Sequence, residues 1–236
     1  HCITYGFVDA ADVRASAVTQ VGGQMHFSMH LPDGKTQDVV LNLPGRHNVL
    51  NALAVAAIAW QLGVSRENIA AALLKFEGIG RRFNIKGELA LRQGSALLVD
   101  DYGHHPSELA AVFAAARGGW PEKRLVVAFQ PHRYSRTRDL FDEFTAVLSS
   151  ADAVVLTDVY AAGEAPVLGA DAKSLARSIR ARGRLDPVVA GPAKELPRML
   201  GDVLKDGDLL LMMGAGDIGA VCNELAQHGL LLEEKQ

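Results

Sequence analysis

Leu125-Val126-Val127-Ala128-Phe129-Gln130-Pro131-His132-Arg133-Tyr134-Ser135-Arg136-Thr137-Arg138 is the stretch on which the reading of the fold turns. Its first five residues are an unbroken apolar run, as expected of a strand covered on both faces. Asp139-Leu140-Phe141-Asp142-Glu143-Phe144 follows with apolar residues at helical spacing, which predicts a helix over 139–149. The basic segment is therefore expected as a loop where a strand ends and a helix begins. In an open α/β sheet that edge is where ligands bind. Cations at a helix start oppose the helix dipole, so Arg133, Arg136, Arg138 and His132 crowd positive potential where some already exists. A bound anion relieves that crowding, and the planar guanidinium fork suits a carboxylate or phosphate. A solvated loop with charged tips is the plainer alternative.

Outward from this stretch, strands and helices alternate. Upstream, Ile85 to Arg92 and Ala96 to Val99 read as a hairpin around Gln93-Gly94-Ser95, followed by a helix from Pro106 to Arg117 with Pro in its first turn. Downstream come strands 153–157, 187–190 and 208–213 and helices 171–182, 193–204 and 217–228. Repeated βα units predict a Rossmann-like, mostly parallel sheet with helices on both faces.

Residues 1–43 read differently, as short strands. Met25 to Leu31 alternates, Pro32-Asp33-Gly34-Lys35 is a turn signal, and Asp38 to Leu43 returns as a hairpin partner. Then Leu43-Pro44-Gly45-Arg46-His47-Asn48-Val49-Leu50-Asn51-Ala52 leads into an Ala-rich helix, with Asn48 as its expected N-cap and Gly63 at its end. Ser65 caps a second helix, Arg66 to Phe76. Glu77-Gly78-Ile79-Gly80-Arg81-Arg82-Phe83 is aperiodic and glycine-flanked, so a domain boundary is expected there, dividing 1–80 from 81–236.

Composition narrows the function classes. The 236 residues are 49% hydrophobic and 22% charged, with net charge -3, which gives no general attraction to nucleic acid. No apolar run approaches the roughly 20 residues of a membrane span. Cys2 and Cys222 form no motif, which suits a reducing cytoplasm. The chain opens on His1 in a strand-like segment, so something upstream is expected to be missing.

Three motifs offer chemistry. Asp100-Asp101-Tyr102-Gly103-His104-His105-Pro106 also follows a strand and opens a helix. Asp101 there is placed to accept from nucleotide-sugar hydroxyls, or else to cap the turn. The adjacent histidines diverge and lack a spaced third ligand, so no metal site is expected. Asn48 and Asn51 are three apart on one helical face, and a side-chain amide matches the edge of adenine; a cap plus a surface amide explains them equally. Gly214-Ala215-Gly216-Asp217-Ile218-Gly219 spells G-x-G-x-x-G, but only 17 residues follow Gly219, too few for the rest of a dinucleotide-binding βαβ unit. It reads as a tight turn after the last strand. A dinucleotide-binding (NAD) module of an oxidoreductase is the rival it leaves standing.

Taken together, the stretches Gly45 to Ala52, Gly80 to Phe83, Asp100 to Pro106 and Gln130 to Thr137 resemble the Mur ligases of peptidoglycan precursor synthesis. The resemblance implies an ATP-dependent amide ligase that adds L-alanine to UDP-N-acetylmuramate through an acyl phosphate. It implies that Asn48 and Asn51 hold adenine and that Arg82 and Asp101 contact ATP. Tyr102, His104, His132, Arg133 and Arg136 would form the amino-acid pocket, with His104, Arg133 and Arg136 acting in catalysis. It also implies Mg²⁺, with ligands upstream of this chain. The expected partners are these small molecules, with no nucleic acid and no membrane. A Gly-Lys-Thr phosphate loop is expected of the family's central domain. Gly34-Lys35-Thr36 has the letters but sits in a hairpin turn, so it is rejected. The chain is accordingly expected to be a fragment: the β-plus-helix tail of a central ATPase domain, then a C-terminal Rossmann-like domain, inactive by itself.

Overall fold

The structure, a computed structural model, describes residues 2–230. The chain divides into two compact units: residues up to Ile79 with Ala114–Pro121, and Gly80–Phe113 with the residues from Glu122 on.

In the first unit, β1 (Tyr5–Gly6), β2 (Val13–Val21), β3 (Gln24–His30) and β4 (Thr36–Leu41) form a sheet in that order. β1 runs parallel to β2, and the other pairs are antiparallel. β3 shows why: Met25, Phe27 and Met29 are buried while His26, Ser28 and His30 are not, the period of two of a half-covered strand. Those side chains pack on Val49, Leu53 and Ala56 of α1 (Arg46–Gln61) and on Ile69 and Leu73 of α2 (Arg66–Lys75). β2 runs longer than its sequence suggests, because a bulge at Ala17 (φ 51°) absorbs its broken alternation. Gly34-Lys35-Thr36 lies in the turn and first residue joining β3 to β4, with the Gly34 N–H bonded to the Leu31 carbonyl. Ser65 caps α2 by accepting from the Asn68 N–H. Asn48, however, is not the cap of α1. Gly45 is, at φ 97°, a conformation only glycine takes cheaply, and it lets the helix begin at Arg46.

The second unit begins with β5 (Asn84–Ala90) and β6 (Ser95–Asp101), then α3 (Pro106–Gly119), whose last turns cluster with the first unit. β7 (Leu125–Phe129), α4 (Tyr134–Asp139), α5 (Phe141–Leu148), β8 (Ala153–Thr157), α6 (Ala172–Ala181) and β9 (Val188–Gly191) follow. A 3-10 turn (Ala193–Glu195), α7 (Leu196–Val203), β10 (Leu209–Met213) and α8 (Ile218–His228) complete it. The sheet order is β5-β6-β10-β7-β8-β9, with only the β5–β6 pair antiparallel. Every residue of β7 and β10 is buried, because helices flank this sheet.

Two sequence expectations change here. The segment after Arg133 is helical from Tyr134, so Arg136 and Arg138 lie in the last turn of a short helix and not in a loop before one. There they face the negative end of its dipole and need no anion to be tolerated. The helix expected over 139–149 is the separate α5, broken from α4 at Leu140 (φ -117°). Second, β6 extends through Asp100 and Asp101, so both acids are strand residues and both are buried.

Candidate active site

The last described strand, β10, lies between β6 and β7, so the chain leaves the sheet on one side and returns into its middle. The ends are level: Met213 pairs with Asp101 on one side and Phe129 on the other, and Phe129 pairs with Leu156. Tyr102, Gly214 and Gln130 are thus the first residues past one common edge, level with Thr157 at the end of β8. This is the switch point at which open α/β sheets take ligands.

Beyond that edge the rings of Tyr102, His104 and His132 form a chain. Tyr102 and His104 meet edge to face at 5.3 Å, and His104 and His132 lie 5.5 Å apart. His132 then stacks on Tyr160 at 5.4 Å. Arg136 donates from Nη1 to the His132 carbonyl (3.2 Å) and to His132 Nδ1 (3.3 Å). An arginine only donates, so Nδ1 accepts and the proton of neutral His132 sits on Nε2. Burial, with His104, Arg136 and Arg133 nearby, lowers the His132 pKa and keeps it neutral. His104 has the opposite arrangement. Its Nδ1 lies 3.0 Å from the Tyr102 carbonyl, which can only accept, so its Nε2 is the accepting nitrogen when the ring is neutral. Arg133 is exposed and caps α4 at φ 73°, a region rarely occupied by a non-glycine residue. The structure therefore brings Tyr102, His104, His132, Arg133 and Arg136 together. Arg138 pairs with Asp139 (2.8 Å).

The residues expected on a nucleotide stand as follows. Asn48 donates from Nδ2 to the Pro44 carbonyl (2.8 Å), and Asn51 lies on the same face, 3.4 Å from Asn48 Oδ1. Arg82 is exposed beside the Tyr102 ring (5.9 Å) and Glu108 (3.9 Å). Asp101 is buried, and its oxygens accept from the N–H groups of Phe83 (2.8 Å) and Gly103 (2.6 Å). Burial pushes its pKa up, against those two donors and Arg82. Among the described residues no group of three or more His, Cys, Asp or Glu is placed to hold a metal ion.

Several supporting residues are absent from the sequence expectations. Arg81 donates to buried Asp100 (3.3 Å) and to the Gly214 carbonyl (2.6 Å), tying the segment before β5 to the end of β10. Among the described residues Asp100 Oδ2 has no hydrogen-bond partner; Lys86 Nζ stands 4.0 Å away, and burial raises this carboxyl's pKa. Gln130 bridges β7 to α8, donating to Asp217 (2.5 Å) and accepting from the Ile218 N–H (3.1 Å). Glu108 accepts from the N–H groups of His104 (2.9 Å) and His105 (3.1 Å). Of these, Glu108 had a legible clue, since it follows His105 by three residues at capping-box spacing.

The glycine-rich turn is occupied by the protein itself. A Cβ at Gly216 would lie 2.7 Å from the Tyr160 ring and closer still to Gln130 Oε1. One at Gly219 would meet Arg81 Nε at 2.6 Å. The close approach that such glycines give a pyrophosphate elsewhere is here used by Gln130, Tyr160 and Arg81. The dinucleotide alternative is not supported.

Comparison with known proteins agrees. The family description "Mur ligase, glutamate ligase domain" matches residues 81–216, and "Mur ligase middle domain" matches residues 1–59. A protein of Stenotrophomonas maltophilia strain K279a named UDP-N-acetylmuramate–L-alanine ligase is 65% identical over 230 residues, covering 97% of this chain and 48% of that protein. One of Xylella fastidiosa strain M12 with the same name is 63% identical over 235 residues, covering 99% and 49%. The crystal structure of UDP-N-acetylmuramate-alanine ligase MurC from Thermotoga maritima superposes with a TM-score of 0.78 at 27% identity, over 95% of this chain and 47% of that one. The MurF ligase of the same organism in complex with ADP shares the fold, with a TM-score of 0.66. The chain spans about half the length of the curated relatives it matches.

Proposed function

The chain belongs to the Mur ligase family, and on that premise we propose that it is the nucleotide- and amino-acid-binding part of an ATP-dependent ligase joining L-alanine to UDP-N-acetylmuramate. The observation that carries this reading is the cluster beyond β6, β10 and β7, where Arg136 bonds His132, the rings of Tyr102, His104 and His132 meet, and the Arg133 charge lies close to His132. Two guanidinium groups suit one α-carboxylate, and charge-assisted bonds of this kind are worth about 1.5–3 kcal/mol each. The names of the relatives at 63–65% identity support the same substrate.

In this reading ATP phosphorylates the lactyl carboxylate and leaves as ADP; the amine of alanine then attacks the acyl carbon, the C–O bond to phosphate breaks, and inorganic phosphate departs to leave the amide. That amine must first lose a proton, and His104, whose Nδ1 is directed at the Tyr102 carbonyl, has Nε2 as its accepting nitrogen in the neutral form. His132, held neutral with its proton on Nε2, offers a donor without adding a charge. Orientation and charge neutralisation do the work, with no protein nucleophile. Asn48 and Asn51 are proposed for adenine. Arg82, exposed, is proposed for the phosphates, and Asp101 for the nucleotide. Its lone pairs beyond those taken by Phe83 and Gly103 are all it has to offer. Mg²⁺ is expected in such chemistry, but the described residues do not fit it, since no group of three or more His, Cys, Asp or Glu among them is placed to hold the ion.

The test is a chimera in which this chain replaces the matching half of the S. maltophilia relative. Phosphate release with ATP and UDP-N-acetylmuramate should depend on L-alanine and not on D-glutamate or D-alanine. Turnover with another amino acid, or none with L-alanine from a folded chimera, overturns the reading.

A further inference from the structure

Arg133 makes the strongest backbone demand in the pocket, and its own element does not meet it. Its φ is 73°, α4 is six residues long, and the cap offers no side-chain acceptor to the first turn. The acceptor comes from 29 residues away. Glu164 takes the Ser135 N–H at Oε2 (2.9 Å) and the Ser135 hydroxyl at Oε1 (2.7 Å). Tyr160 holds the other side. Its carbonyl accepts from the Arg133 N–H (2.8 Å), its N–H donates to the Pro131 carbonyl (2.8 Å), and its ring lies against His132. Between them the chain turns sharply at Ala162 (φ 50°) and Gly163 (φ 87°), closed by the Glu164 N–H on the Ala161 carbonyl (3.0 Å). One short segment after β8 thus grips the chain on both sides of Arg133.

We infer that Glu164 is a positioning residue of this pocket. By holding the first turn of α4 through Ser135, it fixes the backbone of Arg133 and aims Arg133 and Arg136 at the substrate carboxylate. The inference rests on the proposed reading of the pocket as an amino-acid site. A direct role on substrate is disfavoured because both oxygens of Glu164 are engaged by Ser135, and a carboxylate would repel the substrate's own. The two Ser135 donors, then Arg133, also lower the Glu164 pKa, so it is ionised at neutral pH. A carboxylate here offers two acceptors to one residue, which an amide cannot, since its nitrogen only donates.

In the chimera, Glu164→Ala should raise the KM for L-alanine about tenfold while leaving kcat and the KM for ATP within about twofold, the pattern of lost ground-state positioning. Ser135→Ala removes the hydroxyl donor and keeps the backbone N–H on Glu164, so it should give a smaller rise, and the double variant should be no worse than Glu164→Ala alone. Glu164→Gln, keeping one acceptor, should recover part of the loss. If wild-type chimera uses L-alanine and Glu164→Ala leaves its KM unchanged, the inference falls while the proposed function stands. If the wild type uses no L-alanine, the proposed function falls, and the positioning claim is decided on the chain itself. There, Glu164→Ala must abolish protection of the Ser135 amide from hydrogen exchange. It must also weaken the shift of the Arg133 Nε resonance on titration with inorganic phosphate; if both are unchanged, the claim is wrong.

Discussion

Replacing Arg81 by Met tests how the end of β6 is held. Arg81 supplies the only hydrogen bond to the Asp100 carboxylate among the described residues, at 3.3 Å to Oδ1, and Asp100 is wholly buried. With Arg81 gone, Lys86 at 4.0 Å is the one cation left beside it. Breaking a buried pair costs about 3–5 kcal/mol. The Arg81 side chain is 27% exposed, so water can enter the vacated space, and about 2–3 kcal/mol is expected. Some of that is the bond to the Gly214 carbonyl, about 1 kcal/mol. Burial already raises the folded-state pKa of Asp100 above 3.8, and losing Arg81 raises it further. The folded state then binds more protons than the unfolded one between 3.8 and the raised value, so stability falls as pH rises through that window. The loss in Arg81→Met should therefore be largest at neutral pH and shrink towards pH 4. Asp100→Asn in the same chain should restore most of it, since no buried charge remains. Urea unfolding followed by amide protection in β6 and β10 measures this. An equal loss at both pH values, or no rescue by Asp100→Asn, would show that Arg81 acts through Gly214 alone and refute the electrostatic argument.

In the chimera, Arg136→Ala should raise the KM for L-alanine roughly 10- to 150-fold, from about 1.5–3 kcal/mol, and spare that for ATP. Arg138→Ala should change neither, because Arg138 is spent on Asp139 at the surface; an effect on ATP from Arg136→Ala would make the pocket a phosphate site. Gly216→Ala forces its methyl into Tyr160 and Gln130, so a loss of about 1–3 kcal/mol in urea unfolding is expected, and a change within 0.5 kcal/mol would mean the turn yields freely. Limited proteolysis should cut first between Glu77 and Arg82, where Ile79 is 63% exposed between two glycines; first cuts inside the 84–228 elements would refute that.

Sequence carried the architecture because its signals are local. Apolar runs such as Leu209 to Met213 mark strands covered on both faces, alternation in Met25 to Leu31 marks a half-covered one, and Ser65 announces a helix start. Local signals fail where neighbours compete. Asn48 has the chemistry of a cap, but Gly45 has the backbone freedom and takes the position. The basic stretch reads as a loop because it lies between an apolar strand and a helical apolar pattern, yet it is a helical turn whose Ser135 N–H is taken by Glu164. The five pocket residues were legible as motifs, and tertiary structure decided their surroundings. Tyr160, Glu164, Gln130 and Arg81 hold the site through contacts spanning 28 to 133 residues of sequence, which no periodicity encodes. The same distance effect settled the glycine-rich turn: its letters permit a pyrophosphate, and only the folded chain shows Gln130, Tyr160 and Arg81 already filling the space that those glycines leave.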